Sequence, residues 1–225
     1  MGKLIIIEGT DGSGKQTQTE LLYKKLKKIK GEDKIKKISF PNYESRASEP
    51  VKMYLAGEFG KTAESVNAYA ASVLYSVDRF ASFKTEWEEF YNNGGIVISD
   101  RYTISNMIHQ VPKILDKAER EKYLDWLIDL EWRKIGIPKP DVVFFLDIPF
   151  EFSQKLMQDR ENKITGEKEK DIHEKDKNYL RNAYETAKQL SLKYGWNVIS
   201  CVSEDKLRTI KDINDEMLKI SLKNI

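Results

Sequence analysis

The sequence predicts a three-layer α/β fold, a five-stranded parallel sheet with helices on both faces, and three observations predict it. Short apolar runs rich in β-branched residues alternate with longer stretches of helical periodicity. The runs are apolar on both faces, as strands covered on two sides by helices must be. A chain of 225 residues with 40% hydrophobic content can bury one sizeable core, and no Gly/Ser-rich linker or internal repeat divides it. The expectation is a single domain over residues 1–225.

The elements follow in order. Residues 4–7 (LIII) form the first strand, and the helix after it repeats Leu21, Leu22, Leu26 and Ile29 until Gly31 stops it. The more polar run 36–40 suits a strand near an edge. Helical patterns at 63–91 and 116–135 flank the apolar strand at 96–99. A fourth strand at 142–146 (VVFFL) is followed by helices at 150–160 and 174–194, a weaker strand at 197–202, and a closing helix at 206–222.

Charge and cysteine exclude several classes of function. Lys+Arg 38 nearly cancels Asp+Glu 36, so the basic surplus of a dedicated nucleic-acid binder is missing. Cys201 is the sole cysteine, which rules out an intrachain disulfide; its apolar neighbours suit an inert core thiol. The apolar run in MGKLIIIEGT is too short for a membrane span or signal peptide, giving the expectation of a soluble cytoplasmic protein.

The strongest local signal is GTDGSGKQT, residues 9–17, between the first strand and its helix. Gly9, Gly14 and Lys15 match the spacing G-x-x-x-x-G-K, from which a P-loop NTPase fold is expected. The glycines let successive backbone N–H groups, including those of Thr10, Asp11, Gly12 and Ser13, turn toward an anion at the positive end of a helix. Lys15 adds a compact charge for the β- and γ-phosphates of ATP. The residue after the lysine is Gln16, not Ser or Thr, with Thr17 next. Mg²⁺ is therefore expected to rely mainly on carboxylates and the nucleotide, with Gln16 or Thr17 as the alternative ligand. Asp100, just past the strand 96–99, can hold a water of that Mg²⁺; a turn cap is the plainer reading. Arg101 beside it offers a planar fork for a phosphate. No N-K-x-D-like segment follows a late strand, so a guanine-reading GTPase is not indicated. The polar segment 159–177 reads either as a solvated charge run or as a lid over 159–173; the upstream phosphate loop favours the lid.

With these features the sequence resembles the thymidylate kinase family. The residues carrying the resemblance are EGTDGSGKQTQ (8–18), FPNY (40–43), LYSVDR (74–79), DRYTISN (100–106) and IGIPKPD (135–141). The resemblance implies γ-phosphoryl transfer from ATP to dTMP with Mg²⁺, and a homodimer to which the apolar positions of 74–83 contribute. Related monophosphate kinases with other acceptors, and a non-catalytic nucleotide binder, are the alternatives. The family places the loop acid, here Asp11, near the deoxyribose 3′-hydroxyl. Phe40 and Pro41 border the nucleoside, with Tyr43 close by. Tyr75 stands at the base-stacking position, where many members have phenylalanine, and Arg79 at the base-reading one; residues alone equally allow a core tyrosine and a salt bridge from Arg79 to Asp78. Arg101 matches the acceptor-phosphate arginine and Asn106 the amide at the base edge. His109 replaces a tyrosine often found near the sugar. Some members carry an arginine in the loop where this chain has Gly12, so transition-state charge is expected from the lid, with Arg160 ahead of Lys163, Lys168 and Lys170. Asp171 and His173 align with an acid and an aromatic near the acceptor; a helix cap explains them equally.

Overall fold

The computed structural model describes residues 1–157 and 176–225. Strands β1 (Lys3–Glu8), β2 (Ile35–Ser39), β3 (Ile96–Asp100), β4 (Val142–Asp147) and β5 (Asn197–Ser200) form one parallel sheet ordered β2-β3-β1-β4-β5. The polar run expected near an edge is the edge strand β2. β1 lies at the centre, and its apolar residues are divided between two cores by the pleat. Ile5 and Ile7 pack with Leu22 and Leu26 of α1 (Lys15–Lys30) and Ile213 and Met217 of α9 (Ile210–Asn224). Leu4 and Ile6 face the opposite way, onto Phe83, Trp87 and Tyr102.

That opposite layer contains α2 (Glu49–Leu55), α3 (Ala68–Ser82), α4 (Glu88–Asn92), α5 (Thr103–Gln110) and α6 (Lys117–Ile128), with α8 (Lys177–Tyr194) packed on α5. The short helix α7 (Phe150–Met157) leads away from β4. Sheet and two helical layers match the expected architecture.

The helices differ from expectation in instructive places. The stretch 63–91 is not one helix: α3 begins at Ala68, where the Asn67 side chain accepts from Ala70 N at 2.8 Å, and a π turn over Phe83–Trp87 separates it from α4. A second π turn, Asp129–Lys134, ends α6. Helices α2 and α5 were not anticipated. The closing helix starts at Ile210, because Glu204 and Asp205 adopt φ 49° and 56° and close a hairpin between β6 (Val202–Ser203) and β7 (Lys206–Leu207). Two consecutive left-handed residues suit the twist of a tight hairpin and cannot continue a helix. Cys201 is buried, and burial pushes its thiol pKa up to about 12, as an inert core thiol requires.

Candidate active site

The register of the sheet brings two chain ends to one spot. Ile7 of β1 pairs with Asp100 of β3, so the loop leaving β1 and the turn leaving β3 start side by side at the carboxyl edge. Loops at that edge build the sites of open α/β sheets. From β1 the chain enters the glycine loop. Gly12 and Gly14 adopt φ 81° and 79°, and a Cβ on Gly12 would stand 2.5 Å from the Ser153 carbonyl oxygen of α7. Only glycine suits that left-handed backbone pressed against a neighbouring helix. Gly14 then caps α1, and Lys15 is its first residue.

Lys15 is nearly buried; its Nζ donates to the Thr10 carbonyl at 2.9 Å and lies 3.9 Å from Asp11 Oδ1. Burial, then the neighbouring Arg101 charge, push its pKa down to about 8. A cation held so poorly solvated is ready for an anion. Arg101 adopts φ 67°, a strained conformation for a side chain with a Cβ, which costs about 1–3 kcal/mol. The turn is held by Arg101 N donating to Ile7 O at 3.1 Å and Tyr102 N donating to Glu8 Oε1 at 3.1 Å. Glu8 also accepts from Ser105 Oγ at 2.8 Å, and burial raises its pKa against the pull of Arg101.

The Arg101 guanidinium ion-pairs with Asp11 and lies 3.2 Å from His109 Nε2. Burial opposes the arginine charge, but Asp11, Glu8 and Asp100 outweigh it and hold the pKa above the ordinary arginine value. Burial and then Arg101 push the His109 imidazole down to about 3, so the ring is neutral near pH 7 and its Nε2 accepts from the guanidinium. Asp100 Oδ1 is buried with no hydrogen-bond partner among the described residues, an oxygen that calls for an ion or a water.

These groups line a cavity of about 600 Å³ that continues past Phe40, Pro41, Tyr43, Tyr75, Arg79 and Asn106. Tyr75 packs edge-on to Tyr54 at 6.4 Å, and Asn106 Nδ2 donates to Ser72 O at 3.3 Å. One cavity therefore joins a phosphate loop to an aromatic and arginine-lined chamber.

Comparison with known proteins agrees with this geometry. A family model described as thymidylate kinase matches residues 7–209. The chain belongs to the thymidylate kinase family. The thymidylate kinase of Plasmodium falciparum is 29% identical over 219 residues, 97% of this chain and 89% of that one. That of Mycobacterium tuberculosis is 31% identical over 174 residues, 77% of this chain and 78% of its own. Among solved structures, the thymidylate kinase of Candida albicans superimposes with a TM-score of 0.72 at 22% identity, covering 99% of this chain and 92% of that one.

Of the residues expected in a thymidylate kinase site, Asp11, Gly12, Gly14, Lys15, Gln16, Thr17, Phe40, Pro41, Tyr43, Tyr75, Arg79, Asp100, Arg101, Asn106 and His109 all line the cavity. Gly9, Thr10 and Ser13 are buried in the loop behind it. Arg160, Lys163, Lys168, Lys170, Asp171 and His173 lie outside the described residues, as does the 159–173 lid. The salt bridge from Arg79 to Asp78 is replaced: Arg79 pairs with Glu131, and Asp78 accepts from Asn42 N at 2.9 Å.

Sequence reasoning missed Glu8, Ser105, Gln110 and Glu131. Gln110 lines the cavity with a buried Oε1 that has no hydrogen-bond partner among the described residues. Glu131 left a readable signal, an acid seven residues after Leu124 and four after Leu127 on the buried face of α6. The hairpin residues Leu207 and Arg208 complete the wall beyond Gln16.

Proposed function

We propose that the protein transfers the γ-phosphoryl group of ATP to dTMP, giving dTDP and ADP. The single observation that carries this reading is the continuous cavity from Lys15 to Arg79. Its volume of about 600 Å³ is usual for small-molecule sites, and its lining runs from the glycine loop to aromatic and arginine side chains, which supports a donor and an acceptor held in one enclosure. In the reaction an oxygen of the acceptor 5′-phosphate bonds to the γ-phosphorus while the bond to the β,γ-bridging oxygen breaks, and ADP leaves with that electron pair. The protein's share is positioning and neutralisation of charge.

The loop amides and Lys15 hold the donor phosphates. Arg101 grips the acceptor phosphate, a task that its planar fork and high pKa suit. Asp11, beside Arg101, receives the 3′-hydroxyl. Tyr75 stacks on the base, Phe40, Pro41 and Tyr43 border it, and Arg79 and Asn106 face its edge, with Gln110 as a further polar contact. His109, held neutral, adds no charge against the sugar. Arg160 is assigned the transition-state charge and Asp171 and His173 the acceptor side by family resemblance; all three lie outside the described residues.

No cluster of three or more His, Cys, Asp or Glu side chains among the described residues is arranged to hold a metal ion. That suits Mg²⁺ carried by the nucleotide, since this ion keeps several waters and uses few protein ligands. Asp100 fits as the holder of such a water, with Gln16 and Thr17 at the cavity wall nearby. When bound, Mg²⁺ neutralises charge on the β- and γ-phosphates.

An ADP-release assay across dTMP, dUMP, dCMP, dGMP and deoxythymidine tests the reading. Preference for dTMP is expected; preference for dGMP or deoxythymidine, or ADP release independent of any acceptor, rejects it.

The reading extends to a homodimer. Along α3, Tyr69, Val73, Val77 and Phe80 are exposed on one face, whereas Leu74 packs inward and Phe83 is buried. An apolar stripe of this kind is the usual mark of an interface. Light scattering should give twice the monomer mass, and Val77→Asp should halve it; a monomeric parent refutes the dimer. No helix among the described residues is long and apolar enough to cross a membrane. A cytoplasmic setting and the lack of a nucleic-acid partner go with the same small-molecule chemistry.

A further inference from the structure

Arg79 is almost fully buried on α3, yet it lines the acceptor end of the cavity. Behind it stands Glu131, 0% exposed, in the π turn that ends α6. Arg79 Nε donates to Glu131 Oε2 at 2.9 Å, and Nη2 donates to Oε1 at 2.5 Å. The same two oxygens accept from Ser76 Oγ at 2.7 Å and Thr103 Oγ1 at 2.5 Å. Helices α3, α5 and α6 thus converge on one carboxylate.

A buried ion pair is weak evidence of stability, since well-packed apolar residues often serve as well. What it supplies is orientation. The side-on fork engages two of the five guanidinium N–H groups and leaves three on the side away from Glu131. Arg79 cannot rotate without breaking both bonds. A guanidinium donates and never accepts, so a fixed one favours a carbonyl on a base and opposes an amino group.

We propose that Glu131 is a positioning residue that sets acceptor-base selectivity by locking the Arg79 fork, so that a pyrimidine with a carbonyl at the edge facing Arg79 is taken and its amino counterpart is refused. This rests on the reading of the chamber as the dTMP site. Removing Glu131's charge while keeping its size turns one accepting oxygen into an amide that confronts guanidinium N–H groups.

In Glu131→Gln, kcat/KM for dTMP should fall by roughly tenfold or more through KM for dTMP, with KM for ATP changed less than about twofold. The ratio of kcat/KM for dTMP to that for dCMP should fall by about tenfold. In an Arg79→Lys background the same change should move that ratio less than about twofold, since the effect runs through Arg79. Thr103→Val, which deletes only one donor to Glu131, should shift the ratio in the same direction by a few fold, and it decides the matter if Glu131→Gln does not fold. An unchanged ratio, or KM for ATP and dTMP rising together, overturns the inference. A parent enzyme that does not prefer dTMP over dCMP instead overturns the underlying reading of the site.

Discussion

Replacing Lys15 with methionine is expected to lower turnover by about three orders of magnitude, about 4 kcal/mol of transition-state stabilisation, with no loss of thermal stability. The second half of that expectation follows from the environment. Burial and the nearby Arg101 charge both work against the protonated amine, so the folded state gains little from keeping it. Among the described residues its hydrogen bond is to the Thr10 carbonyl within the loop. Stopped turnover with an unchanged melting curve therefore separates chemistry from folding. A companion measurement is the pH profile. With its pKa near 8 in the free protein, Lys15 loses its charge as pH rises through that value, so kcat/KM for ATP should decline on the alkaline side from about pH 8. Bound phosphates favour the charged amine, so the decline in kcat should come at higher pH. Near-normal turnover in Lys15→Met, or a kcat/KM profile level beyond pH 9, removes Lys15 from the donor site.

Replacing Arg101 with alanine should have a different signature. The fork at the acceptor phosphate is lost, and kcat/KM for dTMP should fall by about a thousandfold, with the larger part in the acceptor terms. Stability should fall as well, by about 3 kcal/mol, because Asp11 and the buried Glu8 lose the cation that offsets their charge. Arg101→Lys should restore most of the stability and little of the activity, since lysine brings the charge but not the planar pair of donors. A melting curve and steady-state kinetics on both variants check this. Equal activity of Arg101→Lys and the parent contradicts the role of the fork.

How far such residues can be recognised in advance depends on the distance over which their roles are set. The phosphate loop was legible because its logic is local: an apolar strand, glycines at fixed intervals, a lysine and a helix within a short stretch. The five strands were legible for a similar reason, as each carries its own apolar pattern. Helix α5 was not, because in TISNMIHQ the polar Asn106, His109 and Gln110 are all buried and no solvent-facing polar stripe marks the helix. The start of α9 was misplaced because Lys206 and Leu207 pair with Ser203 and Val202 across a turn that only the left-handed backbone of Glu204 and Asp205 makes, and their residue types do not announce it. Arg101 was read from its place beside Asp100, the acceptor-side roles of Asp11 and Asn106 entered through family resemblance, and the convergence of all three on one cavity came from the fold.

The amino-acid order alone determined the α/β layering and the phosphate cradle, because strand burial, glycine spacing and a single lysine act through near neighbours, while the reaction class came with the family resemblance. Only tertiary structure decided who neutralises whom. Arg79 turned from adjacent Asp78 to Glu131, 52 residues away, and Arg101 met Asp11 across 90 residues. Charge pairing inside a protein is settled by which helices pack together and what they shut away from water, and no local pattern carries that information.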